Sequence, residues 1–128
     1  MFDFRSKEKK IKEVVIENNQ SDSELIMIFA NSRKLNLGTL KAVVNGEKLL
    51  IGDIDISEEY VNYKIGSKLI ERLEEICKEQ GIKDIYGNLA NVDLDHKDRL
   101  IHFYEKHGYS ISYENDNPNY WGTISKTL

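Results

Sequence analysis

The segment from Ile54 to Ile70 has the composition of an anion-binding site: a strand, an acidic turn and the start of a helix. It reads IDISEEYVNYKIGSKLI, so the helix opens with Gly-Ser-Lys-Leu. Backbone N–H groups in the first turn of a helix have no partners within the helix, and the helix dipole adds partial positive charge there. We therefore predict an anion-binding loop with donors from Asn62, Lys64, Ile65, Gly66 and Ser67.

A second stretch, residues 99–109, places an ionisable aromatic group on a helix. It reads RLIHFYEKHGY, and its tyrosine is Tyr104. A phenol is a neutral proton donor at pH 7, which is the property that a general acid needs. The alternative is a packed aromatic residue beside Leu100, Ile101 and Phe103.

These two stretches, in this order and at this separation, resemble the motifs of the GNAT superfamily of acyl-CoA-dependent N-acetyltransferases. The late motif of that family, usually written Phe-Tyr-Glu-Lys, any residue, Gly-Phe, is nearly complete in FYEKHGY. The resemblance spans about residues 49–128. It implies acetyl-CoA as cosubstrate, a pyrophosphate held by the loop at 62–67, and a pantetheine arm bound to the backbone of Ile54 and Ile56. It also implies that Tyr104 protonates the departing thiolate.

The loop departs from the family pattern at two of three diagnostic positions. The family has Arg or Gln, two free positions, Gly, one free position, then Gly or Ala, whereas this chain has Val61, Lys64 and Gly66. Loss of the first glycine would crowd the phosphate, or the Lys64 ammonium would compensate by meeting the phosphate charge. Both outcomes stay open at the level of sequence.

Acetyl transfer to an amine also needs a base that deprotonates the ammonium of the acceptor. Asp53 and Asp55 lie on the strand beside the expected pantetheine, and they alternate with Ile54 and Ile56. Strand carboxylates in this pattern also form plain solvated faces. The candidate bases are therefore Asp53 and Asp55, Glu58 and Glu59 in the turn that follows, or a bound water.

Hydrophobic periodicity predicts the elements that position these groups, in the order β β β β α β α β β. The four leading strands are expected near 11–16, 24–29, 39–44 and 47–56, with residues 17–22 as a turn. Asn45-Gly46 predicts a type I′ hairpin. A helix from Ile65 ends at Gly81, and a second helix runs from His96 to His107 before Gly108. Strands follow near 82–86 (between the helices), 109–113 and 120–124.

The expected fold is therefore mixed α/β: a mostly antiparallel twisted sheet with a central parallel pair and two main helices, formed by residues 1–128 as one domain. Members of the family usually place one or two helices between their first two strands, but here a short turn is expected. An open acceptor side would suit a large substrate, a second copy that completes the site, or lost catalysis.

Composition narrows the function classes further. A formal net charge of −4 argues against a dedicated nucleic-acid binder and favours cationic acceptors, either small molecules or protein lysines. No apolar run is long enough to span a membrane, so we expect a cytoplasmic protein. The three histidines form no His-Glu-x-x-His pattern, and we predict surface histidines and no metal site. The buried stripe of the first helix includes Cys77, an unreactive thiol.

Three functions remain at this stage. The first is an N-acetyltransferase that uses acetyl-CoA, and the second is a GNAT-like binding or regulatory module with weak or absent acyl transfer. The third is a homodimer whose partner completes the acceptor site.

Overall fold

The computed structural model describes residues 14–21, 24–57, 64–91, 96–114 and 116–128. Within them lie seven strands and two helices in the predicted order. These are β1 (Val15–Ser21), β2 (Leu25–Ser32), β3 (Leu35–Asn45), β4 (Lys48–Ile56), α1 (Ile65–Gln80), β5 (Asp84–Ala90), α2 (Lys97–Lys106), β6 (Ser110–Tyr113) and β7 (Tyr120–Thr127).

The strands form one sheet in the order β1-β2-β3-β4-β5-β7-β6. Every neighbouring pair is antiparallel except β4 and β5, which confirms the predicted mixed sheet with a central parallel pair. The apolar stripe of α1 forms the core against β2 and β3. Its fully buried members include Ile65, Leu69, Ile70 and Leu73.

The hairpin between β3 and β4 forms as predicted, but with a different turn. Asn45 pairs with Lys48, so Gly46 and Glu47 are the loop residues. Only Gly46 has positive φ, at 66°, whereas a type I′ turn needs positive φ at both central residues. The type I′ prediction was therefore wrong in the turn type, and the loop lies one residue later than predicted.

The polar cluster predicted as a turn, residues 17–22, is mostly strand. β1 continues to Ser21, which pairs with Leu25, so the predicted short connection to β2 is confirmed although it begins later. Side-chain partners on α1 explain the difference. Arg72 donates to Asn18 Oδ1 at 3.2 Å, and Gln80 and Gln20 are hydrogen-bonded.

Both helices end as the sequence predicts. Gly81 caps α1 at φ 74°, and its N–H donates to the carbonyls of Cys77 and Lys78. Gly108 follows α2 at φ 85°. Neither helix in the described part of the chain is long and apolar enough to cross a membrane.

Candidate functional site

A gap opens in the sheet where the parallel strands separate. β4 pairs with β5 only from Lys48 to Ile51, opposite Asp84 to Gly87. The register with β3 shifts at this point, since Lys41 pairs with Asp53 and Ala42 with Ile51, and Gly52 is left as a bulge. Bulges bend a strand and end pairing, so the second half of β4 leaves β5.

The backbone of Ile54 and Ile56 faces this gap. Ser57 donates its N–H to Leu37 of β3 at 3.1 Å, so Ser57 and, by alternation, Asp55 point their backbone groups toward β3. The groups of Ile54 and Ile56 then point away from β3, toward the edge that β5 has left. An extended ligand with amide groups, such as a pantetheine arm, would bind there as an additional strand does.

The start of α1 lies close to the end of β4 and presents backbone donors that have no partner within the helix. Among the described residues no side chain caps this helix, and its first turn contains no acidic residue. The first intrahelical bond near the start is donated by Lys68 to the carbonyl of Lys64 at 3.1 Å. The amides of Lys64, Ile65, Gly66 and Ser67 therefore have no acceptor within the helix, as the sequence predicted.

Lys64 occupies the position at which the family pattern has glycine, and its backbone conformation is one that favours glycine. Its φ and ψ are 61° and 26°, in the left-handed region that L-residues rarely occupy. The lysine therefore holds this conformation at some energetic cost. The Lys64 side chain is exposed, so its ammonium lies at the helix start in solvent.

Gly66 is closely packed. A Cβ at this position would lie 3.0 Å from Ile56 Cδ1 and 3.0 Å from Phe103 Cε1. The helix start therefore sits close against β4 and α2. Ile56 points to the helix side of the sheet, and Asp53 and Asp55 point to the opposite face.

Tyr104 is buried on the helix side, with 7% of its surface exposed. Its ring packs edge-on against Phe103, with centroids 5.2 Å apart, and against Tyr109, with centroids 5.7 Å apart. Phe103 packs against the start of α1 at Gly66, so the Phe103 ring lies between Tyr104 and the anion-binding turn. Burial in an aromatic cluster fits either of the two roles considered for this residue.

Asp53 and Asp55 are exposed and lie beside β3. Their cross-strand neighbours are Lys41 and Thr39, respectively. The structure therefore separates the candidate groups by the thickness of the sheet, with Tyr104 on one face and the two carboxylates on the other. Asn62 and Val61, together with the acidic turn at 58–59, lie outside the described residues.

His107 is the site residue that sequence reasoning missed. His96 and His102 are exposed, as predicted, but His107 is half-buried and forms a 2.9 Å hydrogen bond through Nε2 with Ser67 Oγ. Burial, followed by the charge of Lys106, lowers the pKa of His107 below its ordinary value. The one signal in the sequence was the position of His107 directly before Gly108, the glycine that follows α2 with positive φ.

A second, buried set of contacts holds α1 against the end of α2 and β7. The Tyr109 hydroxyl donates to Glu74 Oε2 at 3.0 Å, and Lys126 Nζ lies 2.8 Å from Glu74 Oε1 and 2.7 Å from the His107 carbonyl. Burial and the Glu74 charge raise the pKa of Tyr109 far above its usual range. This cluster fixes the relative position of the two helices and so of Ser67 and His107.

Cys77 is the buried, unreactive thiol that the sequence predicted. Burial, helped by Glu74, raises its pKa to about 11, which suppresses the nucleophilic thiolate.

Comparison with known proteins gives a consistent family. The sequence model of the acetyltransferase (GNAT) family matches residues 2–109. A spermidine N(1)-acetyltransferase from Thermoplasma acidophilum is 30% identical over 108 residues, which are 83% of this chain and 62% of that protein. An uncharacterized Bacillus subtilis protein, YocC, is 35% identical over 78 residues, covering 61% of this chain and 46% of that one. The chain thus spans less than two thirds of either relative.

A solved structure shares the fold. The PaiA N-acetyltransferase of Thermoplasma acidophilum, crystallised with coenzyme A, superposes with a TM-score of 0.70 at 18% identity, over 82% of this chain and 62% of that one. The expected fold class is therefore confirmed.

Proposed function

Since the chain belongs to the acetyltransferase (GNAT) family, we propose that it transfers the acetyl group of acetyl-CoA to an amine acceptor. The observation that carries this proposal is the start of α1, where four backbone amides have no acceptor within the helix and, among the described residues, no side chain caps them. Such a turn binds a diphosphate through N–H donors and the helix dipole. The Lys64 ammonium adds an exposed positive charge beside it.

The gap beside β4 accounts for the rest of the cosubstrate. With the diphosphate at the start of α1, the pantetheine arm would run along Ile54 and Ile56. The thioester would then lie in the gap between β4 and β5. The acceptor amine then attacks the carbonyl carbon, so that a C–N bond forms and the C–S bond breaks. The proton of the ammonium goes to a base, and the thiolate takes a proton from an acid.

The two faces of the sheet supply these groups separately. Tyr104 lies on the helix face and is the proposed acid, while Asp53, Asp55 or a water bound to them is the proposed base on the opposite face. This arrangement brings the amine to the side of the sheet that lacks helices in the described residues. Exposed carboxylates there also favour a cationic acceptor.

A polyamine is the first acceptor to test. The spermidine N(1)-acetyltransferase relative supports this choice, and so do the two carboxylates on the acceptor face. Protein lysines and other small amines form the rest of the panel.

The test is acetylation of the amine panel by the unchanged protein and by Tyr104→Phe. We expect Tyr104→Phe to lower kcat about 100-fold or more at unchanged KM for acetyl-CoA. The variant loses only the hydroxyl that protonates the departing thiolate in the transition state. Equal activity of the two proteins would remove Tyr104 as the acid. If neither protein acetylates any amine although acetyl-CoA binds, the chain is a binding module.

A further inference from the structure

The hydrogen bond between Ser67 and His107 joins the proposed diphosphate turn to an ionisable ring. Its two atoms, Ser67 Oγ and His107 Nε2, are 2.9 Å apart and belong to residues 40 positions apart. The imidazole packs on Phe103, with ring centroids 5.0 Å apart, and the His107 carbonyl accepts from Lys126. The ring therefore has a fixed place beside the third residue of α1.

We propose that His107 is a positioning residue for the cosubstrate diphosphate, which it controls through the Ser67 hydroxyl: uptake of a proton by His107 makes that hydroxyl a donor to phosphate. The inference deepens the proposed function and rests on it. The proposal follows from the number of protons on the two groups. In the Nδ1–H tautomer of neutral His107, which the proposal requires, Nε2 carries no proton and accepts the one proton of the Ser67 hydroxyl.

Protonation of the imidazole reverses the direction of the bond. Nε2–H then donates to Ser67 Oγ, and the hydroxyl proton is released to point toward an anion at the helix start. The imidazolium also brings a positive charge close to that anion, with only the Ser67 hydroxyl between them. Binding of the diphosphate and of the proton are therefore coupled, and the coupling is reciprocal.

Burial and two lysines favour the neutral form of His107 without ligand, and an added anion would oppose them. Burial lowers its pKa most, and Lys106 and, more weakly, Lys126 act in the same direction, while Glu71 and Glu74 oppose them. An added diphosphate would act with the two glutamates and favour the imidazolium.

The experiment is an NMR titration of the three histidine side chains with and without saturating dephospho-CoA. This ligand keeps the diphosphate but lacks the terminal phosphate monoester, which itself titrates near pH 6. We expect the ligand to raise the pKa of His107 and to leave the exposed His96 and His102 unchanged. We also expect the Kd for dephospho-CoA to tighten about threefold to tenfold from pH 7.5 to pH 5.5.

Variants separate positioning from a merely structural role. The His107→Gln side chain has an amide that can bond to Ser67 but cannot titrate, so the pH dependence of Kd should disappear in this variant. Ser67→Ala should reduce the pH dependence of Kd. His102→Gln is the matched control and should behave as the unchanged protein. A His107 pKa that does not move on binding, or a pH dependence that persists in His107→Gln, would overturn the inference. Absence of binding at every pH would instead count against the proposed function.

Discussion

Replacing Lys64 by glycine should stabilise the protein while weakening its affinity for CoA. Lys64 has φ 61°, and an L-residue in this region costs about 1–2 kcal/mol relative to the right-handed helix. Glycine removes that cost but loses about 0.5–1 kcal/mol through the entropy of its unfolded chain. The net gain is about 0.5–1 kcal/mol, or a rise in Tm of about 2–5 °C for a chain of this length.

Two further variants isolate the backbone and the charge. Lys64→Ala removes the ammonium but keeps the left-handed strain, so Lys64→Gly should be the more stable of the two by about 1 kcal/mol. Gly46→Ala is the reverse control, since Gly46 has φ 66° and a Cβ there meets nothing within 4 Å. It should lose about 1 kcal/mol through strain alone.

Chemical denaturation measures the stabilities, and isothermal titration measures the affinity for CoA. Both Lys64 variants should bind CoA about twofold to fivefold more weakly at low salt, as expected for one exposed ion pair, with the difference shrinking as salt is added. If Lys64→Gly is no more stable than Lys64→Ala, the strain argument is wrong. Unchanged CoA affinity in both variants would remove the ammonium from the phosphate site.

Three other changes test the packing around the site. The new Cβ of Gly66→Ala would lie 3.0 Å from Phe103 Cε1, so crowding should cancel the gain of about 1 kcal/mol that alanine has over glycine in a helix, and a rise in the unfolding free energy of about 1 kcal/mol in urea would refute this. Tyr109→Phe should lose about 2 kcal/mol, because Glu74 forfeits a charged hydrogen bond at low exposure, and a loss well below 1 kcal/mol would contradict the bond. The pKa of His107 is lower when folded than its ordinary 6.5, so the unfolded chain binds more protons and stability should fall as pH drops below about 6.5. His107→Gln should flatten this part of the pH profile, and an unchanged slope would assign it to other groups.

The order of the elements followed from the sequence because hydrophobic period and turn residues agree along most of the chain. Gly81 and Gly108 ended their helices as expected, since both positions need positive φ. The predicted turn at residues 17–22 failed because local polarity cannot reveal partners such as Arg72, which lies 54 positions away on α1. Long-range side-chain partners override the local preference there.

The candidate site was predictable in its backbone but not in its side chains. The donors at the start of α1 follow from any helix that begins without a cap, so Ile65, Gly66 and Ser67 could be named from sequence. The left-handed Lys64 could not, because a lysine gives no local signal for positive φ. His107 was missed for a different reason: its burial depends on the Tyr109, Glu74 and Lys126 cluster that draws the end of α2 onto α1.

The most direct test of the account is a ¹⁵N-resolved NMR titration of the protein with CoA. We predict saturable binding, with the largest amide shifts at the four residues from Lys64 to Ser67 and smaller ones at Ile54 and Ile56. Absence of binding at millimolar CoA, or shifts confined to residues away from the start of α1, would contradict it.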